Sequence, residues 1–368
     1  HELHADFPLA PHRHKVRLTE LSPTARQICE RNSLKHSVGT EKLMATFLPR
    51  RAYVVHFRNL QLYVKLGMKV SSIHRGIKFK QSPVFKEYIE FNSSKRALAT
   101  NSFDTDYYKL LSNSLFGKTI ERPEKRCRVV LTSDPAKHQK LVGSPCYKAS
   151  KIIHPKLVGV TLSYPAVKVK KPFYVGMAIL EIAKVWMYSF HYEVMKAHFG
   201  GSLQLLYTDT DSLLYEVTHP HVYKELGKLS SFFDFSNYPA NHHLYSADGK
   251  REPGLFKDEV GGRIITEFVG LRSKMYSFKV EGEGGKVEEN KAAKGVKASV
   301  IKHQLHHEDY KNCLFEQSQL EHNFNHITSK SHSVVTALKR KISLSPFDDK
   351  RYLLNNVKSV PYGSDILS

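Results

Sequence analysis

Two aspartates with one residue between them, in the string Tyr207-Thr208-Asp209-Thr210-Asp211-Ser212, constrain this chain more than anything else in it. Short apolar runs flank the string, Leu203-Gln204-Leu205-Leu206 before it and Leu213-Leu214-Tyr215-Glu216-Val217 after it. Two such runs around a short polar stretch predict a β-hairpin with the acids at its tip. Carboxylates held that close repel unless a cation neutralises them, and a divalent ion does so readily. A solvated Asp-rich turn accounts for two acids alone; the flanking strands and the neighbouring Tyr and Ser ask for more.

Charge points in a compatible direction. Lys and Arg number 56 against 35 acids, a net charge of +21 spread along all 368 residues rather than gathered in a tail. A folded, uniformly basic protein suits a polyanionic partner, most simply nucleic acid. The four cysteines, Cys29, Cys127, Cys146 and Cys313, are far apart and form no C-x-x-C pair, so they read as reduced structural thiols rather than a zinc or redox site. No apolar run approaches the roughly 20 residues of a membrane span, and no basic amphipathic helix stands out, so no membrane partner is expected.

Taken in order, residues 1–50 are polar and broken by Pro8, Pro11, Pro23 and Pro49, with a short helix capped by Ser22. Residues 52–57 and 69–80 read as strands, with a short helix at 60–66 between them. A helix opens at Ser82-Pro83, where proline's missing N–H costs nothing, and reaches about Thr100. A second runs from about Asp104 to Gly117, making an antiparallel helical hairpin. Strands follow at 127–132 and 157–163, with a helix at 133–141 between them. The longest helix, 175–199, is apolar almost all round and is therefore expected to be buried. After the acidic hairpin come strands at 263–268 and 274–280, a domain boundary near 281–290, and helices at 297–303 and 308–314. This mixture predicts an α+β fold.

The second helix of the pair carries Lys109-Leu110-Leu111-Ser112-Asn113-Ser114-Leu115-Phe116-Gly117. Lys109, Asn113 and Phe116 stand at i, i+4 and i+7, on one helical face. A cation, an amide and a ring on one face suit a nucleotide: charge for phosphate and a flat surface for packing. An ordinary amphipathic helix with a solvated lysine would show the same face.

The pair of strings changes the weight. Lys-x-x-x-Asn-Ser-x-Phe-Gly, followed about ninety residues later by a hairpin with Tyr-x-Asp-Thr-Asp-Ser, resembles the family B DNA polymerases, as motif B of the fingers and motif C of the palm. Leu271-Arg272-Ser273-Lys274-Met275-Tyr276 is similar to the Lys-x-Tyr motif of the protein-primed branch. The strings at 2–11, 256–259, 267–272, 310–314 and 348–351 resemble the polymerases of Maverick/Polinton transposons and their viral relatives, in collinear order through essentially the whole chain.

The resemblance implies an architecture: an antiparallel palm sheet, helical-hairpin fingers and a small C-terminal thumb. Its segments are 1–81 (N-terminal palm or insertion-like), 82–118 (fingers with motif B), 119–280 (palm with motif C and Lys-x-Tyr) and 281–368 (thumb). It also implies roles. Asp211 is the main metal-binding carboxylate and Asp209 the supporting one, serving two Mg2+ ions about 3.5–4 Å apart. Lys109 and Asn113 hold the incoming deoxynucleoside triphosphate, Phe116 packs where many members have Tyr, and Gly117 admits the templating base pair. Arg96 is a second phosphate contact. Tyr207, Thr210, Ser212, Lys274 and Tyr276 belong to the primer side, and the basic segment 286–302 grips duplex phosphates without reading sequence. The partners implied are DNA primer–template, nucleotides and a terminal protein that supplies the first hydroxyl.

One departure stands out. Motif A, the strand with the third carboxylate, has no counterpart. Asp234-Phe235-Ser236-Asn237-Tyr238-Pro239 imitates it but follows motif C, and is rejected. With His1 as first residue, the chain is expected to be the C-terminal portion of such a polymerase, inactive alone, with motif A and an exonuclease upstream. A non-catalytic DNA-binding remnant of a mobile element is the competing expectation. A reverse transcriptase is set aside because Thr210 separates the aspartates, which are adjacent in that class. Localisation stays open: Lys168 to Lys171 is too weak a targeting signal by itself, and the nucleus is favoured only for a eukaryotic host.

Overall fold

The computed structural model describes residue 4 and residues 7–34, 40–330 and 333–367. Of the string 2–11 quoted above, positions 2, 3, 5 and 6 lie outside the described residues. Helices and antiparallel sheets alternate along the chain, an α+β fold. Two compact units emerge. One comprises 1–83, 181–323 and 340–368; the other comprises 84–180 and 324–339.

The second unit is built around the helix pair Lys86–Leu98 and Ser102–Thr119. Asn101 caps the latter, its side chain accepting from the Asp104 amide at 2.8 Å, so the chain turns sharply between the two helices. Tyr88 donates from its hydroxyl to the Leu111 carbonyl across the pair at 3.2 Å. A small sheet follows, with Leu157–Ser163 between Cys127–Thr132 and Tyr147–His154. The helix Pro135–Val142, capped by Asp134, lies between the first two of these strands in sequence.

Four apolar clusters hold the first unit. One gathers Val269, Leu271, Met275, Ala293, Leu305, Tyr310, Cys313 and Leu344. The strings 267–272 and 310–314, quoted for their resemblance, therefore meet in one core, which accounts for their apolar pattern by packing alone. Another places Phe190, Met195 and Phe199 against one face of the acidic hairpin.

Several expectations are corrected. Residues 52–57 and 69–80 form no strand; a lone apolar alternation is not enough, because a strand needs an edge to pair with, and no described strand pairs with either. The long helix spans Phe173–Ser189, loosens into a π turn at Phe190–Met195 and ends at Lys196–Phe199. It is not buried all round: Ile179, Leu180, Ile182 and Trp186 are about 40–50% exposed. Its apolar residues divide between two cores, Val185, Tyr188 and Tyr192 toward one and Phe190, Met195 and Phe199 toward the other. By length and composition alone, the helical run Phe173–Ser202 would suffice to cross a membrane. Near its middle, however, Glu181 is buried and accepts from Asn59 at 2.9 Å and Lys184 at 2.5 Å. Among the strands not foreseen are Tyr147–His154; Val287–Ala293, which extends the sheet of Ile265–Arg272 and Met275–Glu281; and the paired Leu320–Lys330 and Ser333–Leu344.

Candidate functional site

The acidic hairpin forms as its sequence demands, from strands Leu203–Asp209 and Ser212–Val217. A bulge interrupts it: Leu205 pairs with Tyr215, but Tyr207 already pairs with Leu214. One extra residue, Leu206, reverses which face the following side chains occupy. Leu203 and Leu205 therefore share the face of Tyr215 and Val217, toward the Phe190–Met195–Phe199 core, whereas Tyr207 and Asp209 take the opposite face. Without the bulge, strict alternation would put Asp209 on the core side. The consecutive Leu205-Leu206 is the sequence signal for this switch.

The tip is tight and strained. The Asp211 amide donates to the Asp209 carbonyl at 2.6 Å, a three-residue turn centred on Thr210, whose φ is +57°. A β-branched residue pays for that conformation with roughly 1–3 kcal/mol of strain. The same turn sets polar atoms around Asp209. Thr210 Oγ1 donates to its Oδ1 at 3.2 Å, the Tyr207 hydroxyl to its Oδ2 at 3.3 Å, and Ser212 Oγ to its carbonyl at 3.2 Å. Asp211 stands exposed at the turn.

Against Asp209 lies a second hairpin turn, Ser273-Lys274, between Ile265–Arg272 and Met275–Glu281. Lys274 also has a positive φ, +60°, and its ammonium group forms an ion pair with Asp209 Oδ2. That ammonium holds the Asp209 carboxyl below its usual range, and Asp209 in return raises Lys274. Both shifts favour the charged forms, so the ion pair persists on either side of neutral pH. The Tyr276 ring packs 4.6 Å from the Tyr207 ring. Burial, then the Asp209 charge, push the Tyr207 hydroxyl up to about 12 and raise Tyr276 as well, so both stay protonated donors. Asp209, Lys274, Tyr276, Ala292, Ala293 and Lys294 line a cleft of about 360 Å³.

Of the residues singled out in the sequence, Asp209, Tyr207, Thr210, Ser212, Lys274 and Tyr276 are brought together here. Ala292 and Ala293 were missed, and Lys294 was expected only as part of the basic segment 286–302, not beside Asp209, because the stretch after residue 281 reads as turn and basic tail. The Val287–Ala293 strand carries them in by pairing residue for residue with Met275–Glu281. Lys109, Asn113 and Gly117 lie in the other unit, exposed along one line of the Ser102–Thr119 helix, with Phe116 half-buried beside them. A Cβ on Gly117 would meet nothing within 4 Å, so the backbone there is open to close approach. Arg96 stands on the partner helix, half-buried. Asp234, in the rejected string, is buried with its carboxylate occupied by the Ser236 and Arg251 amides at 2.9 and 3.0 Å.

The magnesium expectation meets a difficulty. Among the described residues no three His, Cys, Asp or Glu side chains gather where they would hold a metal ion. Asp209 already has Lys274 as counter-ion, and only Asp211 is added beside it. The described residues do not by themselves make a two-magnesium site.

Residues 14–173 match the family model described as DNA polymerase type B, organellar and viral. A family B DNA polymerase domain is therefore present over that stretch. It includes Arg96, Lys109, Asn113, Phe116 and Gly117, and it ends before the acidic hairpin and the Lys274 turn. No curated protein and no solved structure matches the chain.

Proposed function

We propose that this chain serves template-directed DNA synthesis, as a palm-, fingers- and thumb-bearing portion of a protein-primed family B DNA polymerase of a mobile element or virus. The observation that carries the reading is the meeting of Asp209 with Lys274 and Tyr276. These residues are 65 and 67 positions away in sequence and lie outside the stretch that matches the family, so the cleft and the match are independent pointers to one activity. In this reading 82–118 are the fingers and 119–280 the palm. Segments 1–81 and 281–368 flank them, the latter as thumb, with Val287–Ala293 adding a strand to the sheet that bears Lys274.

The reaction joins a primer 3′-hydroxyl to the α-phosphorus of a deoxynucleotide and releases pyrophosphate. Lys109 and Asn113, exposed at successive turns of one helix, would take the triphosphate, with Arg96 as a further cation. The Tyr207 and Tyr276 rings would pack against the primer end. Their protonated hydroxyls would donate to it. The net charge of +21 would hold the duplex through its phosphates. The hairpin tip offers two carboxylates, Asp209 and Asp211, and Lys274 engages the first, so the chain alone is expected to bind primer–template without extending it.

A second reading, a non-catalytic DNA-binding protein derived from such a polymerase, is favoured by the same Lys274–Asp209 pair. The discriminating measurement is dissociation of primer–template from the purified chain with and without the deoxynucleotide matching the template. Slower release with the matched nucleotide only supports the polymerase reading. Release indifferent to the nucleotide supports the second reading and overturns the first. Primer extension that Asp211→Asn abolishes would instead show that a further carboxylate completes the site.

A further inference from the structure

The cleft beside Asp209 has two lysines, and the structure treats them differently. Lys274 is committed to Asp209. Lys294 lines the same cleft, is exposed, and has no carboxylate partner among the described residues. Its position is built rather than incidental. The Lys294 amide donates to the Lys274 carbonyl at 3.0 Å, tying the two turns together. Gly295 follows with φ +84°, a conformation that suits glycine, and the Lys341 ammonium donates to the Gly295 carbonyl. On the other side, the Tyr310 hydroxyl donates to the Ala292 carbonyl at 3.2 Å, and Ala293 sits in the core. The two alanines leave the cleft floor low, which accounts for the space above it. A tethered, uncompensated cation over a shallow floor, beside the Tyr276 ring, suits a phosphate group.

We infer that Lys294 is the phosphate-binding residue of this cleft and that Lys274 acts as the fixed counter-ion of Asp209, not as the phosphate contact. The inference rests on the nucleic-acid reading above; it picks one residue out of the basic segment 286–302 and gives Lys274, which resemblance places at the primer end, the task of holding Asp209. The phosphate is that of a DNA strand at the primer end; a nucleotide triphosphate has the same chemistry.

The test is the dependence of primer–template affinity on salt, measured with the full chain and its variants. Each phosphate contact contributes about one unit to the slope of log K against log salt. Lys294→Gln should lower the slope by about one, and Lys294→Arg should restore it. Lys274→Gln should leave it nearly unchanged, because that charge is already matched. Asp209→Asn should raise it by about one by releasing Lys274. Since Lys294 is exposed, melting curves should show its variants folded like the parent. A slope lowered by Lys274→Gln and untouched by Lys294→Gln overturns the inference. Titration with tripolyphosphate separates the sources. Binding that Lys294→Gln abolishes assigns the site to a nucleotide; an altered DNA slope without such binding assigns it to a strand; both support a phosphate site. Failure of the functional reading looks different: release indifferent to the matched nucleotide removes the polymerase reading but leaves the Lys294 slope standing. Absence of any salt-dependent DNA binding removes both.

Discussion

The helix pair at 86–119 and the cleft around Asp209 present their candidate residues in opposite ways. On the helices, Lys109, Asn113 and Gly117 are exposed, evenly spaced and held by nothing beyond the helix itself. In the cleft, Asp209 is held by Lys274, Tyr207 and Thr210, on two turns with positive φ, over a floor supplied by a third strand. The first arrangement leaves side chains free to meet a ligand. The second fixes them beforehand and stores strain to do so. The sharpest way to break this contrast is through packing. Tyr310 is fully buried, belongs to the core under the cleft and bonds the Ala292 carbonyl. Tyr310→Ala should cost about 3–5 kcal/mol of the first unit's stability in urea unfolding. Leu110→Ala, at a position 64% exposed on the helix pair, should change stability by no more than about 0.5 kcal/mol.

Acid should separate the two regions next. His191 is buried behind the hairpin, with Nδ1 3.0 Å from the Tyr215 hydroxyl, and burial lowers it to about 4. Unfolded, it takes up its proton near 6.5; folded, only near 4. Stability of the first unit should therefore be highest above pH 6.5 and fall as pH drops toward 4, by up to about 3 kcal/mol for this residue. His191→Gln should flatten that fall. In the other unit, hydrogen bonds from Arg126 and Lys171 hold Glu121 at about 2. Its contribution is present above pH 4.5 and disappears only as pH falls through 2. Urea melts at pH 7, 5.5 and 4.5, followed by a probe in each unit, would check the order; simultaneous loss in both would sink it.

These two regions also differ in how much of them the sequence disclosed. The helix pair follows from local rules: a cap at Asn101, period-3.6 spacing, and a motif contained in nine residues. The hairpin acids were equally plain, because strand–turn–strand is local. What was not legible was non-local. Ala292–Lys294 reach the cleft only because Val287–Ala293 pairs with Met275–Glu281, and nothing inside 286–294 announces its partner. The strands wrongly expected at 52–57 and 69–80 fail for the same reason, since alternation predicts a strand only where an edge exists to receive it. The Asp209–Lys274 pair was foreseeable as a shared neighbourhood through resemblance, but its ionic form was not, because it depends on how two turns face each other.

Glycine substitutions sharpen the comparison at smaller scale. In the helix-bearing unit, a Cβ on Gly176 would run into the Ile120 side chain and come within 2.6 Å of Thr119 Oγ1. Both are anchored at the end of the Ser102–Thr119 helix, so neither can move aside without disturbing it. Gly176→Ala should cost about 1–3 kcal/mol in that unit, read by thermal melting.

Thr210→Gly tests the opposite case, where the native residue is the strained one. Glycine adopts φ +57° freely, so the change removes strain at the turn. It also frees the unfolded chain, at about 0.5–1 kcal/mol, and deletes the bond from Thr210 Oγ1 to Asp209. These opposing effects nearly cancel, and the net stability change should lie within about 1 kcal/mol of zero. The cleft should respond more clearly than the melting temperature. With one donor gone, the Asp209 carboxyl should move back up toward its ordinary value, while Lys274 still keeps it below. Carboxyl titration of Asp209 by NMR, compared between the parent and Thr210→Gly, reads this directly. An unchanged titration accompanied by a marked gain in stability would mean that the turn is merely strained, with no electrostatic part in holding Asp209.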